Sequence, residues 1–428
     1  MESFDRNGWA SEEKWAQAVM AISLCIASIR FSVAYCSYLY GIFALFAGVH
    51  YWISKKNQQP FLPERNNIGL SVIGVGLFYG SLMLSAVVLL DRQSVKMVWD
   101  MFLFCIPFFA FWFIASVFDT EKGFKIGLLA ACLILCIHGI TSPTMGRMQS
   151  FFKHPNAFGV YFELTLPLLG YWLVKEEGWK KLIWGAAILL SVYCLWMTES
   201  RGAILSLAGA AVLSGVICVF GMIRRRRALS CKRVIFILCL TSVCVLGGIS
   251  GVITVNEQRV SSEQQEFFSK LPLDQRLVIQ YEELGGERAG MVIASWHMWE
   301  NHKIWGIGMS RWGEYYYLPS YHPASAHETG HVMPHNMTVY FFAGAGLFGG
   351  LSYFLFMILM FINLIKELMK NDDWLMTGAV LIAYMAFSLH GFLDATISNK
   401  NTAVIFFSLM GYYLGYCNRK QIEMRHGQ

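Results

Sequence analysis

Charge is what this sequence has least of. Of its 428 residues 14% are Asp, Glu, Lys or Arg, where a soluble chain carries about a quarter, while 56% are hydrophobic and the mean hydropathy is +0.46. So few ions cannot hold a whole surface in water, and the apolar excess must face lipid. A large water-soluble enzyme, a disordered protein and a nucleic-acid-binding module are excluded as readings of the whole chain. Also missing are an internal repeat, a Walker loop, a dinucleotide fingerprint and a CxxC pair. All eleven cysteines lie in or beside apolar runs, so they read as small apolar residues and not as a disulfide framework. The first apolar run has no small-residue cleavage site behind it, which favours a retained helix over a signal peptide.

What is present is a series of apolar runs. A bilayer core about 30 Å thick needs roughly 20 residues of helix, because only internally bonded backbone is tolerated there. About twelve runs qualify, near 15–29, 31–53, 68–90, 98–118, 124–140, 156–174, 182–197, 202–223, 234–255, 337–365, 374–395 and 402–416. Only Arg30 separates the first two, which read as a bent hairpin or one long helix. With the N-terminus inside, basic residues in short loops divide 21 inside to 7 outside, and retained Lys and Arg mark the cytoplasmic side. Both termini therefore read as cytoplasmic, and the arginine run 224–227 as a topology anchor. The expected fold class is an all-α polytopic membrane protein with three parts: helices over 1–255, an outer loop subdomain over 256–334, and helices with a tail over 335–428.

The loop is too long to be structureless in a compact protein. Residues 264–284 read as one or two short helices broken at Pro272, and 287–300 as a strong helix with Val292, Trp296 and Trp299 on one face. That face suits either the membrane interface or packing against the bundle. Beyond Trp305-Gly306-Ile307-Gly308 comes a segment dense in Tyr315, Tyr316, Tyr317, Tyr321, His322, His327 and His331, a sugar-stacking surface or an interfacial belt. His327, His331 and His335 would share a helical face and hold a metal only if helical, which Gly330 and Pro334 oppose, and no metal site is expected. The outer face also lacks an acidic pair for a divalent ion, since Asp372 and Asp373 fall on the cytoplasmic side.

Two kinds of residue stand out where the loop meets the membrane. His335-Asn336 heads the tenth run, where an imidazole faces the N-terminal end of a helix and a neutral ring accepts protons. After nine intervening residues, Gly346 and Gly350 lie one turn apart and allow close packing. The other kind is arginine on the outer side: Arg147, Arg201 between two runs with almost no loop, and Arg288 at the head of the loop helix. Guanidinium near membrane depth persists when paired with an anion, and phosphate matches its fork. A salt bridge to Glu199, Glu287 or another outer carboxylate is the alternative for each, but three on the side of His335 favour a shared anionic ligand.

In His335-Asn336 with the later glycine pair, Ser200-Arg201-Gly202-Ala203, His154-Pro155-Asn156 preceded by Arg147, and the Trp305 to Gly308 turn, the chain resembles the O-antigen ligase family. The layout agrees over most of its length, and the first pattern is the most specific. The other motifs are shared with O-antigen polymerases and protein O-oligosaccharyltransferases. The resemblance implies a GT-C-like architecture in the bacterial inner membrane, with the large loop periplasmic. It also implies a metal-independent, cofactor-free inverting glycosyl transfer from an undecaprenyl-diphosphate-linked glycan to a sugar hydroxyl of lipid A-core, with no nucleic acid involved. Carried onto this chain, His335 is the expected general base, Arg201, Arg288 and Arg147 the expected diphosphate ligands, and Asn336 a residue orienting the histidine or a sugar. A transporter of an anionic solute is the alternative from another class, but inverted halves with paired broken helices are not evident.

Overall fold

The computed structural model describes residues 6–29, 35–58, 60–63, 67–142, 146–224, 288, 290–322, 330–370 and 373–426. Among them every regular element is helical. The helices are α1 (Arg6–Ser28), α2 (Tyr35–Lys56), α3 (Gly69–Val88), α4 (Arg92–Leu103), α5 (Ile106–Val117), α6 (Glu121–Thr141), α7 (Pro155–Lys175), α8 (Lys180–Met197) and α9 (Arg201–Arg224). They continue with α10 (290–301), α11 (Trp312–Tyr316), α12 (Met337–Lys370), α13 (Trp374–His390) and α14 (Lys400–His426). The run expected at 234–255, Arg225 to Arg227, the short helices of 264–284, Glu287 and His327 lie outside the described residues.

Eight spans among the described residues are long and apolar enough to cross a membrane: α2, α3, α4 with α5, α6, α7, α8, α9 and α12. Their exposed faces carry Leu45, Leu189, Val216 and Phe220, as lipid-facing helices must. The other expected runs that fall within the described residues are helices too, but α1 carries Glu12, Glu13 and Lys14 in its first half, α13 has 17 residues, and α14 ends in a charged tail. The first two runs are two helices, not one. The run read at 98–118 is also two, because Pro107 in the first turn of α5 has no N–H to continue the preceding helix. The tail of α14 is held by Arg419 to Asp119 at 2.9 Å and by Gln421 to Glu367.

At the centre is α7, with 78% of its apolar stretch buried against 28% for α2 and α8. It runs antiparallel to α13. Tyr171 Oη donates to Asp373 near one end (2.7 Å), while Glu163 meets His390 about midway from there to the other. Near that other end Gly159 lets α9 approach so closely that a methyl there would meet Ala203 and Ser200.

The long helix α12 is interrupted at Gly346, whose φ of 70° and ψ of −161° are not helical. The turn after α10 enters this break: Ile307 N donates to Ala343 O and Gly308 N to Gly344 O, both at 2.9 Å, and Leu347 N to Lys303 O at 2.7 Å. Orphaned backbone groups at the break are thereby paired, as membrane depth requires. The close approach at Gly346 is therefore that of loop backbone and not of a second helix, while Gly350 accommodates the ring of Phe342 on its own helix. Ser85 Oγ and the Asp91 carboxylate hold the same turn from α3 and α4, bonding Trp305 O (2.6 Å) and Ser310 Oγ (3.1 Å). This seats the later part of the loop firmly on the bundle. The buried face of α10 is Met291, Ala294, Ser295 and Met298, with Trp312 Nε1 donating to Ser295, and it lies beside the stripe expected. Trp296 lies exposed on its outer side, and Trp299, with ring centroids 4.7 Å from it, packs edge to face on Phe342 of α12 at 5.3 Å.

Candidate functional site

At the end of the bundle where α7, α9 and α12 begin and α13 stops, four backbone segments meet. His154 opens α7: its extended backbone and Nδ1, which accepts from Asn156 N at 3.2 Å, cap the helix, and Pro155 supplies the first-turn φ. Ser200 opens α9, its Oγ accepting from Ala203 N. Asn336 opens α12, its Oδ1 accepting from Val339 N at 3.2 Å while its Nδ2 donates to Phe392 O at 3.0 Å. The run read through to 395 leaves the helix at His390, because Leu393 N and Asp394 N both turn back to His390 O. The resulting turn projects Asp394 into the middle of the group.

Asp394 is the hub. Its Oδ1 accepts from His335 Nδ1 at 2.7 Å. Its Oδ2 accepts from Asn156 Nδ2 and lies 3.7 Å from an Arg288 guanidinium nitrogen, while Arg288 Nη1 also donates to Leu393 O at 2.9 Å. Behind Asn156 stands Arg147, donating to Asn156 Oδ1 at 2.6 Å and to Thr198 O at 2.8 Å, with Glu199 Oε2 3.9 Å away. His335, Arg288 and, through Asn156, Arg147 are thus gathered about one carboxylate. Arg201 heads α9 beside them: the next residue, Gly202, lies against the His390 ring four residues before Asp394. Asn336 holds backbone, tying the start of α12 to the turn that carries Asp394.

The electrostatics follow from this arrangement. Burial alone would raise the Asp394 carboxyl, but the hydrogen bond and charge of His335, then Arg288 and His390, hold it well below the usual carboxylate range. Burial lowers His154, the Asp394 charge opposes this, and Arg147, His335 and Arg288 reinforce it. An ionised Asp394 accepting from Nδ1 selects the tautomer with a bare Nε2, and Nε2 of His335 makes no hydrogen bond among the described residues. With a quarter of its side chain exposed, His335 can meet a hydroxyl from outside. The arginine forks bring positive charge to the same surface. An oriented imidazole beside paired cations is equipped to take a proton and to accommodate an anionic leaving group.

Asp394 is the residue that reading the sequence missed, since it was absorbed into an apolar run. Its signal was there: an acid and His390 inside a run of membrane character are costly unless partnered. In the sequence Asn156 stands out only as part of His154-Pro155-Asn156. His331 and His335 stand edge to face with centroids 6.2 Å apart, and among the described residues no group of three or more His, Cys, Asp or Glu is arranged to hold a metal ion.

No curated protein matches the chain. A family model, that of O-antigen ligase, matches residues 186–354, from α8 into α12, which takes in Arg201, Arg288, His335 and Asn336 and leaves out Arg147, Asn156 and Asp394. Over these residues the chain carries a domain similar to that of the O-antigen ligase family.

Proposed function

We propose that this protein is an O-antigen ligase that transfers a polysaccharide from undecaprenyl diphosphate to a sugar hydroxyl of lipid A-core on the periplasmic face of the inner membrane. The observation that carries the reading is the Asp394–His335 pair with Arg288 on the same carboxylate, inside a chain with a family domain of this description. His335 Nε2 takes the proton of the acceptor hydroxyl as its oxygen bonds to the anomeric carbon. On the opposite face of that carbon the bond to the diphosphate oxygen breaks, so the configuration inverts. Asp394 keeps the ring in the accepting tautomer and offsets the charge of the imidazolium as it forms.

Undecaprenyl diphosphate leaves with added negative charge, and Arg201 and Arg288 are the groups that compensate it without a metal ion. Arg147 supports them from behind Asn156, and Asn336 acts through the turn it holds. The short-loop basic residues lie at the far end of α7 and α13, at Lys175, Lys180 and Lys370, which supports a periplasmic orientation for His335. Deleting the protein from its cell separates the two closest reactions. A ligase leaves lipid-linked polymer and bare core to accumulate, whereas accumulation of single lipid-linked repeats would make the protein a polymerase.

A further inference from the structure

About 12 Å into α7 from its outer end, a second pair joins α7 to α13. His390 Nδ1 donates to Glu163 Oε1 at 2.5 Å, with both side chains 1% exposed or less. The other carboxylate oxygen of Glu163 has no hydrogen-bond partner among the described residues. Stability alone gives no reason to keep such a pair. Two ionisable groups withdrawn from water cost more than a well-packed apolar pair of the same volume, the more so in a membrane and with one oxygen unpaired.

Its position gives a reason. Glu163 stands seven residues after Asn156, two turns along the same face of α7, and His390 stands four before Asp394. The two helices are therefore joined by two rungs, Asn156 to Asp394 outside and Glu163 to His390 inside. The His390 carbonyl accepts from Leu393 N at 2.7 Å and Asp394 N at 2.8 Å, so it is the foot of the turn that aims Asp394 at His335. The Nε2–Cε1 edge of the His390 ring rests on Gly202, where a methyl would lie 3.3 Å from Nε2, and this leaves it little freedom to slide.

We propose that Glu163 and His390 are positioning residues for the transfer reaction: their hydrogen bond fixes the end of α13, and with it the carboxylate that orients His335. The inference rests on the reading of His335 as general base. It requires a directional bond at this spot, which is what an apolar pair would not supply.

The test is steady-state transfer from purified lipid-linked glycan to lipid A-core by the full chain in detergent. Because losing one partner of a buried pair endangers folding, the main variant replaces both, Glu163→Leu with His390→Phe, and Glu163→Gln is made beside it. The double variant should melt as the parent does yet lose on the order of 10- to 100-fold in kcat with KM for the donor unchanged. Glu163→Gln, which still accepts from His390, should keep most of the rate. In an Asp394→Asn background the double variant should cause no further fall, since the effect passes through Asp394. Full kcat in the double variant, a matching loss in Glu163→Gln, or a further full-sized fall in the Asp394→Asn background would each overturn the proposal. His335→Ala run alongside separates the failures: if it remains active the base reading is wrong, whereas if it is dead while the apolar pair is fully active only the positioning role is wrong.

Discussion

Asp394 Oδ1 lies 2.7 Å from His335 Nδ1, and the two residues come from the loop after α13 and the entry to α12, 59 positions apart. This contact gives the histidine a direction. It leaves an imidazole at a helix entrance with one nitrogen committed and the other open to accept a proton.

Replacing Asp394 by Asn keeps size and removes the charge that selects the tautomer. Asp394→Asn should lower kcat on the order of 10²- to 10⁴-fold with a much smaller change in KM, read in a transfer assay with saturating donor. A kcat within a factor of about two of the parent would leave His335 without need of its carboxylate.

The arginines are tested by keeping charge and removing the fork. Arg201→Lys should cost about tenfold or more in kcat/KM for the lipid-linked donor. An unchanged rate would assign Arg201 to an ordinary ion pair. Chelator should leave transfer intact, and loss of activity in EDTA restored by a divalent ion would return attention to the histidines of the loop.

His154 caps α7 through an unprotonated Nδ1, and its pKa is lowered in the folded protein. Below about pH 6.5 the unfolded histidine gains a proton that the folded one resists, so stability falls as pH drops toward the folded value and then levels off. His154→Asn, a cap with nothing to titrate, should flatten the melting temperature between pH 7 and pH 5. An identical slope in both proteins would exclude His154 as its source.

Gly346 combines a backbone conformation closed to other residues with the carbonyl of Ile304 where a side chain would stand. Gly346→Ala should destabilise by roughly 2–5 kcal/mol, seen as a lower melting temperature and less folded protein. Normal melting would mean that the loop turn is not seated in the break.

Much of this architecture was legible in the sequence because membrane depth imposes its rule one helix at a time. A run such as 182–197 must be a helix whatever surrounds it, and Lys180–Met197 is one. His335 and Arg288 were legible for a related reason, as costly groups where lipid ends. Asp394 was not, because a carboxylate near the end of an apolar run looks like its last polar residue until the turn at 391–394 bends it toward His335. The same holds for Glu163 and His390, whose spacing from Asn156 and Asp394 has meaning only once α7 and α13 are known to be antiparallel neighbours. The break at Gly346 depends on a distant turn, which helical periodicity does not report.

The proposed role of His335 as base of a glycosyl transfer is open to direct test. The most direct measurement is transfer in vitro from purified undecaprenyl-diphosphate-linked glycan to lipid A-core, comparing the parent protein with His335→Ala at matched amounts of folded protein in the membrane. The parent should form product, and the variant should lose at least about 10²-fold. Near-normal product from folded His335→Ala would contradict that role.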